Sequence, residues 1–199
     1  MLLIALTGGI GAGKSSAGSL LARLGATHVS ADQLAREVLE RGEEGYNRVV
    51  AHFGDQILVN GEIDRKMLAD IIFNDPHQRA ILEQITHPLI QKRFREIQRT
   101  LPVDGVLIYE IPLLAENPER ATEFDYVLTI ETSEELRHER LLNRGLSTSQ
   151  VIARISSQTN DVKRREIAHH VIENNGDKEA LLRALEEWWT TFIAPKLTS

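Results

Sequence analysis

Eight consecutive residues near the start of the chain combine four glycines with a lysine and a serine. They read Gly8-Gly9-Ile10-Gly11-Ala12-Gly13-Lys14-Ser15 and satisfy the pattern G-x-x-x-x-G-K-[ST]. Backbone N–H groups at a helix N-terminus hold phosphate oxygens, and glycine keeps side chains out of that ring. The segment therefore predicts a phosphate-binding loop, or P-loop, for ATP. The alternative is a glycine-rich turn that matches the pattern by accident.

The polar side chains of this loop suit a nucleotide with its magnesium ion. Lys14 is long enough to reach the β- and γ-phosphates as a point charge, so we predict a catalytic role for it. The Ser15 hydroxyl is a small oxygen ligand suited to Mg²⁺, and Ser16 follows where it could contact the α-phosphate. The predicted nucleotide-binding residues of the loop are Gly8, Gly11, Ala12, Gly13, Lys14, Ser15 and Ser16. ATP and Mg²⁺ are the expected cofactors.

Two carboxylates follow predicted strands, which is where parallel sheets bind their ligands. Asp32 comes just after the second strand and is a candidate general base, because phosphoryl transfer needs a group that accepts the proton of the attacking hydroxyl. From its position alone, capping of the next helix explains Asp32 equally well. Glu110 ends the third strand and either orients magnesium-bound water or is an ordinary charge at a strand end.

A basic tract lies between residues 137 and 165 of an otherwise acidic chain, with Glu139 and Asp161 as its only acids. Its cationic residues are Arg137, Arg140, Arg144, Arg154, Lys163, Arg164 and Arg165. Arg140 and Arg144 are four residues apart and share one helix face. We predict that these two belong to a lid that neutralises charge on the transferring phosphoryl group, with Arg140 catalytic and Arg144 binding the nucleotide. The other five are interpreted as a solvated helix face.

Apolar runs of strand type alternate with helical patterns. The predicted strands are Leu2 to Leu6, Thr27 to Ser30, Val103 to Glu110, Phe124 to Ile130, and Val171 with Ile172. Strands that alternate with helices indicate a doubly wound parallel sheet with helices on both faces. The carboxyl ends of these strands meet at one edge, so the polar residues that follow them are expected to converge.

Capping and breaking residues predict where helices begin and end. A helix is expected from Lys14 to Leu24, ended by Gly25. The predicted helix starts are Thr132 with Glu135, Ser147 with Gln150, His87 with Pro88, and Asp177 after the turn Asn174-Asn175-Gly176. Trp188 and Trp189 then fall at the core and the rim of the last helix.

The stretch from Asp32 to about Leu101 is helical in pattern and predicts an insertion of several short helices. The expected fold is α/β: a doubly wound parallel sheet of the P-loop NTPase type, with a helical insertion and a helical lid. We predict one domain over residues 1–199. Its core would comprise residues 1–31, 102–136 and 168–199, its acceptor-binding insertion about 32–101, and its lid about 137–167.

Composition limits the partners and the location of the protein. The chain of 199 residues has a net charge of −6, which disfavours a broad nucleic-acid surface. Cysteine is absent, so disulfides and thiolate sites are excluded. No run approaches the roughly 18 apolar residues of a membrane span, and the N-terminus lacks the basic region of a signal peptide. We expect a soluble, cytoplasmic protein that acts on a small molecule.

Motifs of other P-loop classes are absent. The chain contains no N-K-x-D motif of GTPases and no L-S-G-G-Q signature of transport ATPases. A short N-terminal loop, a helical insertion and a later basic segment are instead typical of metabolite and nucleoside kinases. A nucleotide-binding protein without turnover, and an ATPase that acts on nucleic acid, are the interpretations from other classes.

Further short motifs make the chain resemble the dephospho-coenzyme A kinase family over nearly its whole length. In chain order they are Leu6-Thr7 with the P-loop, Ala31-Asp32, Ala35-Arg36-Glu37-Val38, Phe53-Gly54, Gly61, Asp64-Arg65, Leu68, Phe73, Leu82-Glu83, Thr86-His87-Pro88-Leu89-Ile90, Pro112-Leu113-Leu114, Glu116, Arg140, Arg144, Leu146-Ser147, Arg154-Ile155, Gln158, Val171-Ile172 and Asn174-Asn175-Gly176. The P-loop is generic, whereas the Asp-Arg, His-Pro and Pro-Leu-Leu elements in this order are far more specific.

The resemblance implies phosphorylation of the ribose 3′-hydroxyl of dephospho-CoA by ATP, the last step of coenzyme A synthesis. It also implies that Asp32 is the base, that the insertion with His87 and the Pro112 loop lines the acceptor site, and that Arg140 meets ATP. The turn at residues 174–176 would then lie near adenine. A kinase for another metabolite or a nucleoside monophosphate is the nearest alternative.

Three residues depart from the pattern of the family. Ser30 stands where the family often has a first aspartate, Glu110 where many members have aspartate, and His169 where aspartate is common. Because the phosphate-handling groups are all retained, we expect an active enzyme.

Overall fold

The computed structural model describes residues 1–197. Its strands are β1 (Leu2–Gly8), β2 (Thr27–Ser30), β3 (Leu58–Val59), β4 (Glu62–Ile63), β5 (Val106–Glu110), β6 (Tyr126–Glu131) and β7 (His170–Glu173). Its helices are α1 (Lys14–Arg23), α2 (Ala31–Glu37), α3 (Glu44–Phe53), α4 (Arg65–Asn74), α5 (Pro76–Thr100), α6 (Glu134–Asn143), α7 (Thr148–Ser156), α8 (Asp161–Ile167), α9 (Lys178–Trp188) and α10 (Ala194–Leu197). These elements form two compact units, residues 1–30 with 102–197, and residues 31–101.

A five-stranded parallel sheet in the order β2-β5-β1-β6-β7 forms the centre of the first unit. Every neighbouring pair is parallel, which confirms the predicted α/β sheet. The register aligns Leu6 and Ser30 with Glu110, and Gly8 with Ile130, so the carboxyl ends of four strands share one edge. The P-loop follows the central strand at this edge.

Most apolar residues on β1, β5 and β6 are buried because helices cover the sheet. The core packs strand residues against α1 and α9, and it includes Ile4, Leu6, Leu20, Leu21, Ile108, Leu128, Ile130, Leu181 and Leu185. Burial on this scale, at about 1.5–3 kcal/mol for each large apolar side chain, fixes the strand ends that carry the polar residues. Trp188 is buried and Trp189 half-buried, as predicted.

The second unit is a small helical body with its own core. Helices α3, α4 and α5 bury Val49, Phe53, Ile57, Leu68 and Ile85. The β3–β4 hairpin, which the sequence did not predict, is antiparallel. The Tyr46 hydroxyl donates a hydrogen bond of 2.7 Å to the carbonyl of Gly61, which lies in the turn of this hairpin. The aspartates Asp64 and Asp75 cap α4 and α5 through their side chains.

Two predictions about this unit were wrong. Helix α5 runs for 25 residues, so the unit does not consist only of short helices. His87 and Pro88 lie inside α5 and do not begin a helix. Pro88 removes the hydrogen bond to the carbonyl of Gln84, but both residues are exposed, so water can serve that carbonyl at little cost.

Several boundaries in the first unit also differ from prediction: β6 runs from Tyr126 to Glu131 rather than from Phe124 to Ile130, and β7 is longer than Val171 with Ile172. Strand β5 begins at Val106 rather than Val103, because the Gly105 N–H bonds to the Pro102 carbonyl and closes a turn. Helix α6 is capped by Ser133, whose side chain accepts from the Leu136 N–H, and not by Thr132. The predicted capping box of Ser147 and Gln150 at α7, and the cap of Asp177 at α9, are confirmed.

Candidate functional site

The P-loop connects the buried strand β1 to helix α1. Gly13 lies just before α1 with φ of 99°, in the left-handed region that a residue with a Cβ adopts only with strain. A Cβ on Gly13 would also come within 2.3 Å of the Asn174 amide nitrogen. The chain can therefore turn from strand to helix here only with glycine, as the motif predicts.

Several backbone N–H groups of the loop have no hydrogen-bond acceptor within residues 1–197. They belong to Gly11, Gly13, Ser15 and Ser16. The first N–H groups of any helix lack an intrahelical partner and carry the positive end of its dipole. The loop is therefore built to accept an anion with several oxygens, such as the phosphates of ATP.

The side chain of Lys14 folds back over this loop. Its ammonium donates to the carbonyls of Gly8 at 2.9 Å and Gly9 at 3.1 Å, and the residue is nine-tenths buried. These bonds hold a positive charge at the start of the loop. Its predicted contact with the β- and γ-phosphates stays a prediction.

Ser15 is joined to Glu110 across the edge of the sheet. The Ser15 hydroxyl donates to Glu110 Oε1 at 3.1 Å, and His28 Nε2 lies 3.0 Å from Glu110 Oε2. Burial of Glu110, only 5% exposed, acts to raise its pKa. The hydrogen bonds from His28 and Ser15 and the charges of His28 and Lys14 outweigh that effect, so the pKa is lowered and the group is an anion at neutral pH.

This pair fits a Mg²⁺ ion bound together with nucleotide phosphates. Magnesium in such sites takes one or two protein oxygens and fills its remaining positions with water and phosphate. Within residues 1–197 no group of three or more His, Cys, Asp or Glu side chains could hold a metal by itself. A hydroxyl beside a buried carboxylate is a donor set that would suit Mg²⁺.

The outer side of the loop is held by residues that follow β6 and β7. The Ala12 carbonyl accepts from the Thr132 hydroxyl at 3.1 Å and from the Asn174 amide at 2.8 Å. Arg140 donates in turn to Thr132 at 3.2 Å and to the Asn174 carbonyl at 3.0 Å. The sequence offered one signal for these supports: both Thr132 and Asn174 come directly after strands.

The cationic residues of the basic tract differ in their burial, whereas the sequence predicted one solvated face for five of them. Arg137 and Arg164 are only 5% and 3% exposed, so describing them as part of a solvated face was wrong. Their spacing could not reveal this, because Gly9, which lies close to both guanidinium groups, is over 120 positions away in the chain. Arg154 and Lys163 are exposed, as predicted.

The other arginines of the tract have distinct surroundings. Arg165 is exposed, but its Nε and Nη2 both donate hydrogen bonds to the carboxylate of the buried Glu131. These bonds raise the pKa of Arg165. Arg140 is half-buried beside the P-loop, with Nη1 3.5 Å from the Gly11 carbonyl. Arg144 is exposed at the C-terminal end of α6.

The turn between α7 and α8 also contacts the P-loop. Gln158 Oε1 accepts from the Ile10 N–H at 2.7 Å. The next residue, Thr159, donates its N–H to the Glu116 carboxylate at 3.0 Å. The role of Gln158 was missed, because a single polar residue between two helices gives no signal of a contact 148 positions away.

The predicted residues Asp32 and His87 belong to the second unit. Helix α2 begins at Ala31, so Asp32 lies in its first turn with an exposed side chain and does not occupy the N-cap position. A carboxylate in the first turn still benefits from the helix dipole. His87 is exposed on α5.

All three departures from the family pattern lie in the first unit, where Glu110 is the carboxylate beside Ser15. Ser30 ends β2 in register with Glu110. His169 precedes β7, and its Nδ1 accepts from the Val127 N–H at 3.0 Å. Because amino ends of parallel strands lie opposite their carboxyl ends, His169 is at the sheet edge remote from the P-loop.

Comparison with known proteins agrees with this geometry. The family model for dephospho-CoA kinase matches residues 2–180. A dephospho-CoA kinase of Frankia casuarinae is 40% identical over 195 residues, which cover 98% of this chain and 85% of that protein. No helix among residues 1–197 is long and apolar enough to cross a membrane.

Solved structures give the same result. A crystal structure of a Thermus thermophilus protein has a TM-score of 0.82 at 32% identity and covers 97% of this chain and 98% of its own. Dephospho-CoA kinase from Campylobacter jejuni has a TM-score of 0.70 at 27% identity, with 94% and 95% covered. The P-loop, the parallel sheet and these matches together establish that the chain belongs to the dephospho-CoA kinase family.

Proposed function

We propose that this chain transfers the γ-phosphoryl group of ATP to the ribose 3′-hydroxyl of dephospho-CoA, giving coenzyme A and ADP. The observation that carries the proposal is a P-loop whose Ser15 is hydrogen-bonded to a buried carboxylate, in a member of this family. The 3′-oxygen attacks the γ-phosphorus, the bond to the β–γ bridging oxygen breaks, and ADP leaves.

The first unit supplies the groups that hold ATP. The unpaired N–H groups of Gly11, Gly13, Ser15 and Ser16 point to binding of the α- and β-phosphates. Gly8 and Ala12 act through the backbone that shapes the loop. Lys14 exchanges its two carbonyl contacts for phosphate oxygens, which keeps the ammonium paired throughout.

Ser15 and Glu110 are the residues that would hold Mg²⁺. The Ser15 hydroxyl would be the protein's ligand, and the Glu110 carboxylate, which accepts a hydrogen bond from that hydroxyl, would orient it. Bound magnesium neutralises charge on the β- and γ-phosphates. His28 keeps the carboxylate oriented from its other side.

Asp32, Arg140 and Arg144 complete the proposed assignments. Asp32 accepts the proton of the 3′-hydroxyl, a role supported by its exposed carboxylate two residues after β2. Arg140 is supported by its contacts beside Gly11, which leave its guanidinium close to the loop. Arg144 is free of such contacts in residues 1–197 and is assigned to the nucleotide by its position on α6.

The second unit is proposed to hold the acceptor. It has its own core, so it can carry a binding surface without disturbing the sheet. Residues 137–167, which include the basic tract, are proposed to act as the lid that excludes water. Without such a lid, ATP would lose its γ-phosphate to hydrolysis.

A coupled ADP-release assay with ATP and Mg²⁺ tests the proposal. Release should depend on dephospho-CoA and saturate with it. AMP, CMP and shikimate, which are acceptors of other P-loop kinases, serve as matched controls and should give no release above background. Release with a control acceptor and none with dephospho-CoA would overturn the assignment of the substrate.

A further inference from the structure

Two buried guanidinium groups lie against the second glycine of the P-loop. If Gly9 carried a Cβ, that atom would lie 2.2 Å from Arg137 Nη1 and 3.4 Å from Arg164 Nη2. Both arginines come from the basic tract, one from α6 and one from α8. A side chain at Gly9 would force the Arg137 guanidinium to shift from this position.

One carboxylate serves both arginines. Asp161 Oδ1 accepts from Arg137 Nη1 at 3.4 Å and from Arg164 Nε at 3.2 Å, and it also contacts Arg164 Nη2. The side chain of Asp161 is 48% exposed, so water weakens its field. Arg137 Nε is buried without a hydrogen-bond partner in residues 1–197.

The cluster of Arg137, Asp161 and Arg164 therefore carries an excess positive charge next to the loop. Burying a charge without a matching partner is costly, so such a charge is retained where an anion offsets it. Lys14 donates to the carbonyl of the same Gly9, so its ammonium lies on this part of the loop as well. Three cations thus converge on one residue of a phosphate-binding loop.

We propose that Arg137 and Arg164 bind the phosphoryl group that is transferred, and that Asp161 sets the strength of this interaction by offsetting one of their two charges. The proposal rests on the proposed function, because it takes ATP as the anion. It adds two buried arginines to the charge stabilisation for which the sequence favoured Arg140 and Arg144. Arg137 and Arg164 are buried against the loop, whereas Arg144 is exposed.

Substitution of Asp161 separates this role from a structural one by the sign of its effect. Asp161→Asn keeps an acceptor oxygen for both arginines but removes the negative charge. If Asp161 only holds α8 in place, weaker bonds should loosen the segment and weaken nucleotide binding. If it offsets charge, the substitution should tighten binding of an anion at the cluster.

The measurement is calorimetric binding, with Mg²⁺, of the non-hydrolysable analogue AMP-PNP and of ADP, neither of which needs an acceptor. For Asp161→Asn we expect AMP-PNP to bind about fivefold more tightly and ADP to change by less than about twofold, because only the analogue has a γ-phosphate. The gain should shrink in about 0.5 M salt. Glu139→Gln removes the other acid of the tract and should change neither affinity by more than about twofold.

Weaker or unchanged AMP-PNP binding in Asp161→Asn would overturn the proposal, as would equal tightening of both nucleotides. These outcomes do not involve dephospho-CoA, so they are distinct from failure of the proposed function, which the acceptor-dependent ADP release of the unmodified chain reports. A second variant, Arg137→Gln, should lower kcat by about 10²-fold or more with a smaller change in the KM of dephospho-CoA. Arg137→Lys, which keeps the charge, should recover part of that loss, and a loss of the same size in both variants would count against the charge role.

Discussion

Replacement of Glu110 by glutamine should selectively weaken the use of Mg²⁺. The carboxylate lies 3.1 Å from the Ser15 hydroxyl and is 5% exposed, so little water can substitute for its charge. Glutamine has the same shape and still offers one acceptor oxygen. Loss of a partner that orients a metal ligand typically costs about 10–100-fold in metal affinity. That range corresponds to about 1.4–2.8 kcal/mol.

The assay is the initial rate of ADP release at saturating ATP and dephospho-CoA, with free Mg²⁺ varied in a buffered series. Glu110→Gln should raise the half-saturating Mg²⁺ concentration by about 10–100-fold. Glu131→Gln is the matched control, because Glu131 is a similarly buried carboxylate at the end of strand β6 and pairs with Arg165. An unchanged Mg²⁺ dependence in Glu110→Gln, or an equal shift in the control, would show that Glu110 has no specific role in the use of Mg²⁺.

The lowered pKa of Glu110 gives the same variant a pH-dependent readout. A carboxylate whose pKa is lower in the folded state than its ordinary value of 4.5 stabilises the fold above that value. This contribution is lost as the pH falls through the folded-state pKa. The difference in the free energy of unfolding between the unmodified chain and Glu110→Gln should therefore shrink as the pH falls below about 4.5. Chemical denaturation across this range measures it.

Four other substitutions test separate parts of the site. Lys14→Ala should abolish detectable transfer in a folded protein, measured by ADP release alongside circular dichroism, since the γ-phosphate loses its point charge. Asp32→Asn should lower kcat by about 10²-fold or more with nucleotide affinity intact, and near-normal kcat would refute its role as the base. Gly18→Ala should lower the free energy of unfolding by about 1–3 kcal/mol, because its Cβ would lie 2.3 Å from His28 Nε2; an unchanged melting temperature would contradict this. Gln158→Met removes the acceptor of a P-loop N–H and should raise the KM for ATP about fivefold, whereas a change confined to kcat would argue against a positioning role.

Local patterns were enough to predict the sheet and the loop. Leu2 to Leu6 is a continuous apolar run, and a strand buried on both faces needs such a run, so β1 could be identified before its neighbours were known. The eight-residue motif then predicted the turn and the start of α1 at Lys14. Ser147 with Gln150 predicted a cap because both partners of the hydrogen bonds lie within one turn.

Contacts between distant segments could not be predicted in the same way. The charge of Arg137 predicts an exposed side chain, yet the residue is buried and its guanidinium lies close to Gly9 in a distant segment. Pro88 was predicted to begin a helix because proline usually ends the preceding helix. It lies inside α5, where the carbonyl that it leaves unpaired belongs to an exposed residue. In both cases a tertiary environment overrides the local preference.

The identity of the product is the most direct test of phosphoryl transfer from ATP to dephospho-CoA by this chain. The chain would be incubated with ATP, Mg²⁺ and dephospho-CoA, and the acceptor recovered for mass spectrometry and phosphorus NMR. The account predicts a product with one added phosphoryl group, carried as a monoester on the ribose 3′-oxygen, in amounts equal to the ADP formed. Unmodified dephospho-CoA after incubation with a protein that binds ATP would contradict it.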